Sequence, residues 1–283
     1  RHLARRPGAR PGSSNAVSGR VALVTGGARG IGAAIAEGLA AAGVSVAVSD
    51  IDREALAASP LDMPKLQHDV SEPDSCQRVV TEVEATLGPI DILINNAAVG
   101  MGMIREEHFT HRVGIADIAP EQWRAFFIVN TMGPFLMTRL LAPTMAARGW
   151  GRVINITTSF FTMLNEGFAP YGPTKAALEA ATAIWAKEFA DTGVGINIVV
   201  PGGPTNTRLV PLSFSETRDV LIQVSAMVAP VQWLSSDHSN GVTGRRFIAA
   251  LWDADLAPAE AAKAAGAPAA WPDLTANVVW PEA

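Results

Sequence analysis

The chain is poor in several residue types that would point to other classes of protein. It has one cysteine, Cys76, among 283 residues, so it cannot form a disulfide framework, and we expect a packed thiol in a reducing cytoplasm. Its net charge is −5 and it has no basic run beyond the N-terminal residues, which indicates no nucleic-acid partner. No apolar run approaches the roughly 18 residues that cross a bilayer, so we expect no membrane association.

Tyrosine is also scarce. The chain has 10 Phe and 7 Trp but a single Tyr, Tyr171, in the stretch A-P-Y-G-P-T-K. Lys175 follows four residues later, and on a helix positions i and i+4 lie on the same face. A free tyrosine has a pKa of about 10, which an adjacent ammonium is expected to lower. The pair therefore predicts an acid or base at Tyr171.

From Arg20 onward, β-branched runs alternate with Ala-rich helical segments. The runs that predict strands are residues 20–25, 45–50, 65–70, 91–96, 152–157, 196–201 and 245–249. Most of them are nearly continuous apolar runs, which is typical of a parallel sheet buried on both faces. The alternation predicts an α/β fold: a doubly wound, Rossmann-type, mostly parallel seven-stranded sheet with helices on both faces, formed by a single domain over residues 19–252.

Two terminal segments lie outside this pattern. Residues 1–18 are rich in Arg, Pro and Gly, and we expect a disordered tail without a role in the chemistry. Residues 253–283 are rich in Gly, Pro and Ala and contain Trp271 and Trp280. We expect them to form an extension packed on the domain or on a neighbouring subunit. Two alternatives stay open for this extension: a strap on the surface, or an arm that covers an active site.

The first predicted strand runs into T-G-G-A-R-G-I-G, residues 25–32. Gly26, Gly30 and Gly32 allow a tight turn and a close approach to a pyrophosphate, and Gly32 also lets the following helix pack close to the strand. The helix that opens at Ile31 offers free N–H groups and the positive end of its dipole. The stretch therefore predicts a site for the phosphates of a dinucleotide.

The spacing G-x-x-x-G-x-G in this loop, together with Tyr171-x-x-x-Lys175, resembles the short-chain dehydrogenase/reductase family over about residues 20–250. The resemblance implies an NAD(P)-dependent oxidoreductase that interconverts a small-molecule secondary alcohol and a ketone by hydride transfer, with Tyr171 as acid or base. It also implies a homo-oligomer, a tetramer or a dimer, that pairs through helices near residues 121–148 and 170–190. No metal ion is implied.

Two residues bear on the choice between NAD and NADP. Asp50 ends the second strand, where a carboxylate can accept hydrogen bonds from both ribose hydroxyls of NAD. It would repel the extra phosphate of NADP, since two like unit charges about 4 Å apart cost about 4 kcal/mol at an effective dielectric of about 20. The resemblance gives Arg29 the opposite effect, because a basic residue there often neutralises that phosphate. We give Asp50 more weight and expect NAD.

The resemblance assigns further cofactor contacts. Asp69 and Val70 follow the third strand and are implied to hold the adenine through a side chain and a backbone N–H. The stretch N-N-A-A resembles the N-N-A-G of the family, with Ala98 in place of glycine. It implies that Asn96 and Ala97 lie against the cofactor.

The loop after the sixth strand, V-V-P-G-G-P-T-N-T, resembles the family's P-G motif. That loop is implied to hold the carboxamide side of the nicotinamide. Pro201, Gly202 and Thr207 are the matching residues, and the extra Gly203 leaves the register open.

The resemblance also completes the catalytic group. The family has a serine thirteen residues before the tyrosine, and here that position is Thr158, in N-I-T-T-S. Threonine keeps the hydroxyl donor and adds a methyl group. Ser159 is the alternative residue for this role. Asn130, in F-F-I-V-N-T-M-G, matches a helix asparagine that supports a proton relay from the lysine to solvent.

The substrate is only outlined by the sequence. Residues 100–112 follow a strand's carboxyl end, where ligands bind in such sheets. Their His108 and His111 lack the carboxylate spacing of a metal site, so we expect a solvated loop there. Other pocket-flanking loops predict a partly apolar substrate through Phe160, Met163, Leu164, Phe168, Leu209, Val210 and Phe214.

Two other functions stay open. One is a catalytically weak or inactive cofactor-binding protein, which the serine-to-threonine change at Thr158 supports and the retention of Tyr171 and Lys175 opposes. The other is an NADPH-dependent 3-ketoacyl reductase acting on an acidic carrier, which Asp50 and the negative net charge disfavour.

Overall fold

The computed structural model describes residues 17–214 and 217–273. The tail expected over residues 1–18 therefore lies outside the described residues up to residue 16, and so does Trp280. Val17 is already buried in the core, so the packed chain begins before residue 19.

Within the described ranges the strands form one sheet with the order β3-β2-β1-β4-β5-β6-β7-β8. They are β1 Val21–Thr25, β2 Ser45–Asp50, β3 Lys65–Gln67, β4 Ile92–Asn95, β5 Gly151–Ile156, β6 Val194–Val200, β7 Arg245–Ile248 and β8 Gly266–Pro268. Strands β1 to β7 pair in parallel, and β8 pairs antiparallel with β7. The doubly wound, mostly parallel sheet is confirmed, but the expected seven strands become eight because the C-terminal extension adds β8 at the edge.

The helices alternate with the strands as the sequence predicts. They are α1 Gly30–Ala41, α2 Arg53–Ala58, α3 Pro73–Leu87, α4 Pro120–Phe127, α5 Gly133–Ala147, α6 Phe160–Leu164, α7 Tyr171–Glu188, α8 Val228–Leu234 and α9 Pro258–Ala265. A π-helical turn, Ile128–Met132, joins α4 to α5. The joined helix Pro120–Ala147 is long and apolar enough to cross a membrane by length and composition, but half of its most apolar window is buried inside the fold.

The sheet is covered on both faces, which explains its continuous apolar runs. On one face Val24 packs with residues of α1 and α8, such as Leu39 and Leu234. On the other face Leu23 packs with residues of α3 and α5, including Cys76. Cys76 is a buried free thiol, as expected, and burial raises its pKa to about 11.

Parallel pairing brings the carboxyl ends of β1, β4, β5 and β6 to one edge of the sheet. The strand order reverses between β1 and β4, the position where ligands bind in such sheets. Buried amides brace this region. Asn95 Nδ2 donates to Asn155 Oδ1 at 2.8 Å, and Asn155 Nδ2 donates to Thr182 Oγ1 at 2.8 Å. The central strands and α7 are thereby fixed relative to one another below the edge.

Candidate active site

A cavity of about 650 Å³ opens at this edge. Eight of the residues predicted for the site line it: Ile31, Asn96, Thr158, Tyr171, Lys175, Pro201, Gly202 and Thr207. The other predicted residues lie around it, in the glycine loop, behind the wall, or at the ends of β2 and β3: Gly26, Arg29, Gly30, Gly32, Asp50, Asp69, Val70, Ala97 and Asn130.

The glycine loop has the backbone that only glycine adopts readily. Gly26 and Gly30 have φ of 63° and 60°. A Cβ on Gly32 would lie 2.3 Å from the Gly26 carbonyl oxygen and 2.6 Å from Asn96 Nδ2. Asn96 Nδ2 itself donates to the carbonyl oxygens of Thr25 and Gly26 at 3.0 and 2.9 Å. The N-terminus of α1 has no side-chain cap, so its N–H groups face the loop and suit a diphosphate.

Asp50 lies beside the loop, but Arg29 is held by a different carboxylate. Asp50 Oδ2 accepts from the Ala28 N–H at 3.3 Å, and its Oδ1 accepts from the Asp52 N–H at 3.1 Å. Arg29 Nη2 pairs with Asp52 Oδ2 at 2.7 Å. The hydrogen bond from the Ala55 N–H and the pairing with Arg29 lower the pKa of Asp52. The expected role of Arg29 as a cation for a ribose phosphate is therefore opposed by a carboxylate that already binds it.

The segment after β3 is a tight turn. Asp69 Oδ1 accepts from the Ser71 N–H and hydroxyl at 2.9 and 2.6 Å. Val70 is buried, and a Cβ on Gly133 would lie 2.9 Å from its Cγ2. The two residues thus lie at the end of β3, against the start of α5, and outside the cavity lining.

Tyr171 is the first residue of α7, and the Thr158 side chain lies close enough to its hydroxyl to favour a lower pKa of the phenol. Lys175 Nζ lies 5.9 Å from the centre of the Tyr171 ring and donates to the Ile156 carbonyl oxygen at 2.8 Å. Burial raises the pKa of Tyr171 to about 12 and lowers the pKa of Lys175 to about 8. Burial dominates both values for the protein groups alone, and a lowering of the tyrosine pKa by Lys175 together with the charge of the nicotinamide stays a prediction.

Thr158 and Ser159 lie in different surroundings. Ser159 Oγ caps α6 by accepting from the Thr162 N–H at 3.1 Å, and it also hydrogen-bonds with Thr162 Oγ1 at 2.9 Å. Thr158, by contrast, lies close enough to Tyr171 to favour a lower pKa of the phenol. Of the two candidates, the structure brings Thr158 to the tyrosine.

Asn130 lies in the π-helical turn and is fully buried. Its Oδ1 accepts from the Val99 N–H at 2.9 Å, and its Nδ2 donates to the Val99 carbonyl at 3.0 Å and to Thr174 Oγ1 at 3.1 Å. One amide therefore fastens the chain after β4 to the residue beside Lys175. Thr174 was not identified from the sequence.

The loop after β6 folds back over the glycine loop. Gly202 has a φ of 107°, and a Cβ there would lie 2.8 Å from Ile248 Cγ2. Thr207 Cγ2 lies 3.7 Å from the Cβ position on Gly30, which places Thr207 next to the phosphate loop. Arg218, which the sequence analysis missed, holds this loop by donating to the carbonyl oxygens of Thr207 and Val210 at 2.8 and 3.0 Å.

The expectation of a solvated loop over residues 100–112 is wrong at His108. This residue is 5% exposed, lines the cavity, and has its pKa lowered by burial. Phe109 packs with Phe214 and Phe168 at ring distances of 4.4 and 5.8 Å. An aromatic wall therefore forms from three separate loops. In the described part of the chain, no group of three His, Cys, Asp or Glu residues could hold a metal ion.

The sequence model of the short chain dehydrogenase family matches residues 20–217. The chain belongs to the short chain dehydrogenase family. This short chain dehydrogenase is 36% identical over 237 residues to an acetoacetyl-CoA reductase of Rhizobium meliloti, covering 80% of this chain and 94% of the relative. It is 32% identical over 238 residues to the 3-oxoacyl-[acyl-carrier-protein] reductase FabG of Escherichia coli, covering 80% and 93%.

Among solved structures, the short chain dehydrogenase resembles that of a candidate gluconate dehydrogenase from Agrobacterium tumefaciens. The TM-score is 0.71 at 25% identity, covering 82% of this chain and 94% of the other. Membership of the family makes this chain an oxidoreductase with a nicotinamide cofactor, and the glycine loop and uncapped helix end fit the diphosphate of such a cofactor.

We expect Gly32→Ala to abolish binding of both NADH and NADPH, because the new methyl group would overlap the Gly26 carbonyl and displace Asn96. Binding is measured by quenching of tryptophan fluorescence. Gly102→Ala is the matched control, since a Cβ at Gly102 meets nothing within 4 Å. Wild-type affinity in the Gly32 variant would show that this loop does not hold the cofactor.

Lys175 provides a prediction on stability. Its pKa falls from 10.5 to about 8 on folding, so the unfolded chain binds this proton more tightly and the unfolding free energy rises with pH between these values. Lys175→Met removes the cost of burying the charge. Near pH 7 it should raise the free energy of unfolding by about 1–3 kcal/mol.

Urea unfolding of the wild type and the Lys175→Met variant from pH 6 to pH 10 measures this effect. The difference in the free energy of unfolding between the variant and the wild type should shrink as the pH rises through about 8, where the wild-type lysine loses its proton. A constant difference at all pH values would show that Lys175 is not a buried charge in the folded protein.

Proposed function

We propose that the chain is an NAD-dependent oxidoreductase that interconverts a secondary alcohol and a ketone in a reducing cytoplasm. The observation that carries this proposal is that Thr158, Tyr171 and Lys175 line one cavity, with Lys175 buried 5.9 Å from the centre of the tyrosine ring. An inactive cofactor-binding protein would have no need for this arrangement.

The side chains of Tyr171, Thr158 and Lys175 are suited to transfer one proton to or from the substrate oxygen. Burial keeps the Tyr171 phenol protonated at neutral pH, so it can donate to the oxygen of a ketone during reduction. The Thr158 hydroxyl donates a second hydrogen bond that orients the same oxygen. When bound, the nicotinamide supplies the hydride, or accepts it in the reverse direction. Lys175 is poised to return a proton to Tyr171, because its own pKa of about 8 is near neutral.

Asn130 is proposed to support proton transfer between Lys175 and solvent by fixing the residues around Lys175. Its amide makes three hydrogen bonds, two to the Val99 backbone and one to the Thr174 hydroxyl, so it ties the chain after β4 to the residue before Lys175. We infer that a chain of solvent molecules runs along these groups from Lys175 to the surface.

The cofactor contacts follow the sequence assignment. Gly26, Gly30, Ile31 and Gly32 are proposed to hold the diphosphate, Asp50 the ribose, and Asp69 with Val70 the adenine. Asn96, Ala97, Lys175, Pro201, Gly202 and Thr207 are proposed to surround the nicotinamide half.

The proposed preference for NAD rests on the charges near the glycine loop. Asp50 and Asp52 are both near the ribose end of the site, and Arg29 is paired with Asp52 at 2.7 Å. A ribose phosphate would have to compete with this carboxylate for the guanidinium and would also face Asp50.

The aromatic wall supports a compact apolar substrate. His108, Phe109, Phe168 and Phe214 line one end of the cavity, and their rings can enclose a ring or a branched group beside the carbonyl. A second candidate is the reduction of a 3-oxoacyl thioester. The names of the two relatives favour it, and Arg112 at the cavity could meet an anionic carrier, although Arg112 is paired with Glu166.

We also propose a homo-oligomer, a tetramer or a dimer. Large apolar side chains are exposed on the joined helix and on α7, namely Met132 at 44%, Phe135 at 42% and Ile184 at 56%. A second copy of the chain would bury this surface.

The first test offers the purified protein NADH and NADPH with a panel of compact ketones and with acetoacetyl-CoA. We expect turnover with NADH and an apolar ketone. Tyr171→Phe should lower kcat by 10²–10⁴-fold, because the proton donor is lost, while leaving NADH binding within about twofold. Wild-type turnover in this variant would contradict the assignment of Tyr171. Turnover only with acetoacetyl-CoA would favour the second candidate.

The aromatic wall gives a separate prediction. Phe109→Ala should raise KM about tenfold for a ketone that carries a ring, since ring contacts with Phe168 and Phe214 organise this end of the cavity. KM for a small aliphatic ketone such as butan-2-one should change less than about twofold, which serves as the internal control. Equal changes for both ketones would place the substrate elsewhere.

A further inference from the structure

The side-chain carboxylate of Glu179 is buried on α7, two turns after Tyr171. Glu179 is 0% exposed and accepts three hydrogen bonds. Arg246 Nε and the Ala270 N–H donate to its Oε1 at 2.9 and 3.2 Å, and Thr157 Oγ1 donates to its Oε2 at 3.0 Å. A buried charge is costly unless its partners are all in place, so this carboxylate requires each of them.

Arg246, on β7, is bound from three directions. Its Nε pairs with Glu179, its Nη2 donates to the carbonyl oxygen of Thr158 at 3.0 Å, and its guanidinium carbon lies 3.9 Å from the centre of the Phe160 ring. The side chain of Arg246 is 5% exposed. Well-packed apolar residues stabilise a fold at least as well as a buried ion pair does. Stability alone therefore does not explain the pair.

The pair lies where regular strand bonding ends. Strand β5 stops at Ile156, and Thr157 has one long backbone bond to the sheet, from its N–H to the Val199 carbonyl at 3.4 Å. Beyond this bond, the two residues of the ion pair hold the chain. Glu179 accepts a hydrogen bond from the Thr157 side chain, and Arg246 donates one to the Thr158 carbonyl. At Thr157 and Thr158, the ion pair thus takes the place of the backbone hydrogen bonds that hold a strand in the sheet.

We propose that Glu179 and Arg246 are positioning residues that orient the Thr158 hydroxyl for the reaction, an inference that rests on the role proposed above for Thr158. Fixing the carbonyl of a residue limits the directions its Cβ can take. The hydroxyl of Thr158 is then held toward Tyr171 and the substrate oxygen, and a looser Thr158 would cost reaction rate rather than cofactor affinity.

The C-terminal extension also contacts this ion pair. Ala270 donates to Glu179 with a positive φ of 58°, and the preceding Ala269 N–H donates to the Gly244 carbonyl at 2.9 Å. Trp271 packs on Phe160 with a ring distance of 5.7 Å. None of these extension residues lines the cavity. The described part of the extension, up to residue 273, therefore lies behind the cavity wall.

The test uses the full chain and a ketone that the wild type reduces. Arg246→Lys keeps the charge but cannot hold both Glu179 and the Thr158 carbonyl in the same way. We expect kcat to fall about tenfold, with the dissociation constant of NADH within twofold of wild type. The control is Arg245→Lys, because Arg245 is adjacent on β7 and, within the described residues, its side chain has no hydrogen bond or ion pair. The control should keep the wild-type kcat.

A double-mutant cycle with Thr158→Val separates positioning from general damage to the fold. If Arg246 acts through Thr158, Arg246→Lys should cost less than twofold in kcat once the hydroxyl is gone. Two losses that multiply independently would overturn the proposal, and so would an unchanged kcat in Arg246→Lys.

Trp271→Ala provides the same cycle if Arg246→Lys fails to fold, because Trp271 is already 36% exposed. Its expected loss in kcat is about threefold, and it should vanish in the Thr158→Val background. A loss that persists there would overturn the proposal. Absence of turnover in the wild type with every ketone would instead contradict the proposed function, so the two failures are distinguishable.

Discussion

The structure depends on one constraint: a polar group buried beside the parallel sheet costs free energy unless it finds a hydrogen-bond partner. At the carboxyl edge these partners come from different elements. Asn155 links β5 to β4 and α7, Asn130 links the joined helix to the chain after β4, and Glu179 links α7 to β7 and the C-terminal extension. The hydrogen bonds that satisfy the interior are therefore also the ones that fix the cavity wall.

The same burial sets the chemistry at the site. It favours a neutral Tyr171 and makes Lys175 easier to deprotonate, so the protein groups alone prefer the state that can donate a proton from the phenol. That preference suits ketone reduction at neutral pH. Alcohol oxidation would need a positive charge near the tyrosine to favour the phenolate, and the protein supplies such a charge only while Lys175 is protonated.

The sequence predicts those features that depend on residues close together in the chain. Apolar runs, the glycine loop and Tyr171 with Lys175 are local patterns, so the strands, α1 and the face of α7 could be predicted from them. The partner of Glu179 lies 67 residues away at Arg246, and no local pattern joins the two. Strand β8 was missed because Gly-Ala-Pro has no apolar alternation. The burial of His108 depends on Phe168 from a distant loop, and the pairing of Arg29 with Asp52 depends on the turn after β2.

Threonine in place of the family's serine at Thr158 gains a physical explanation from these contacts. A β-branched side chain has fewer χ1 rotamers than serine, so its hydroxyl samples fewer directions. The Thr158 carbonyl is held by Arg246 at 3.0 Å, which limits the backbone as well. A stiff side chain on a fixed backbone restricts the directions of its hydroxyl, and Thr158 and Tyr171 line the same cavity. The substitution is therefore better explained as part of a rigid catalytic wall than as the decay of one, which favours an active enzyme over a cofactor-binding protein that has lost its chemistry.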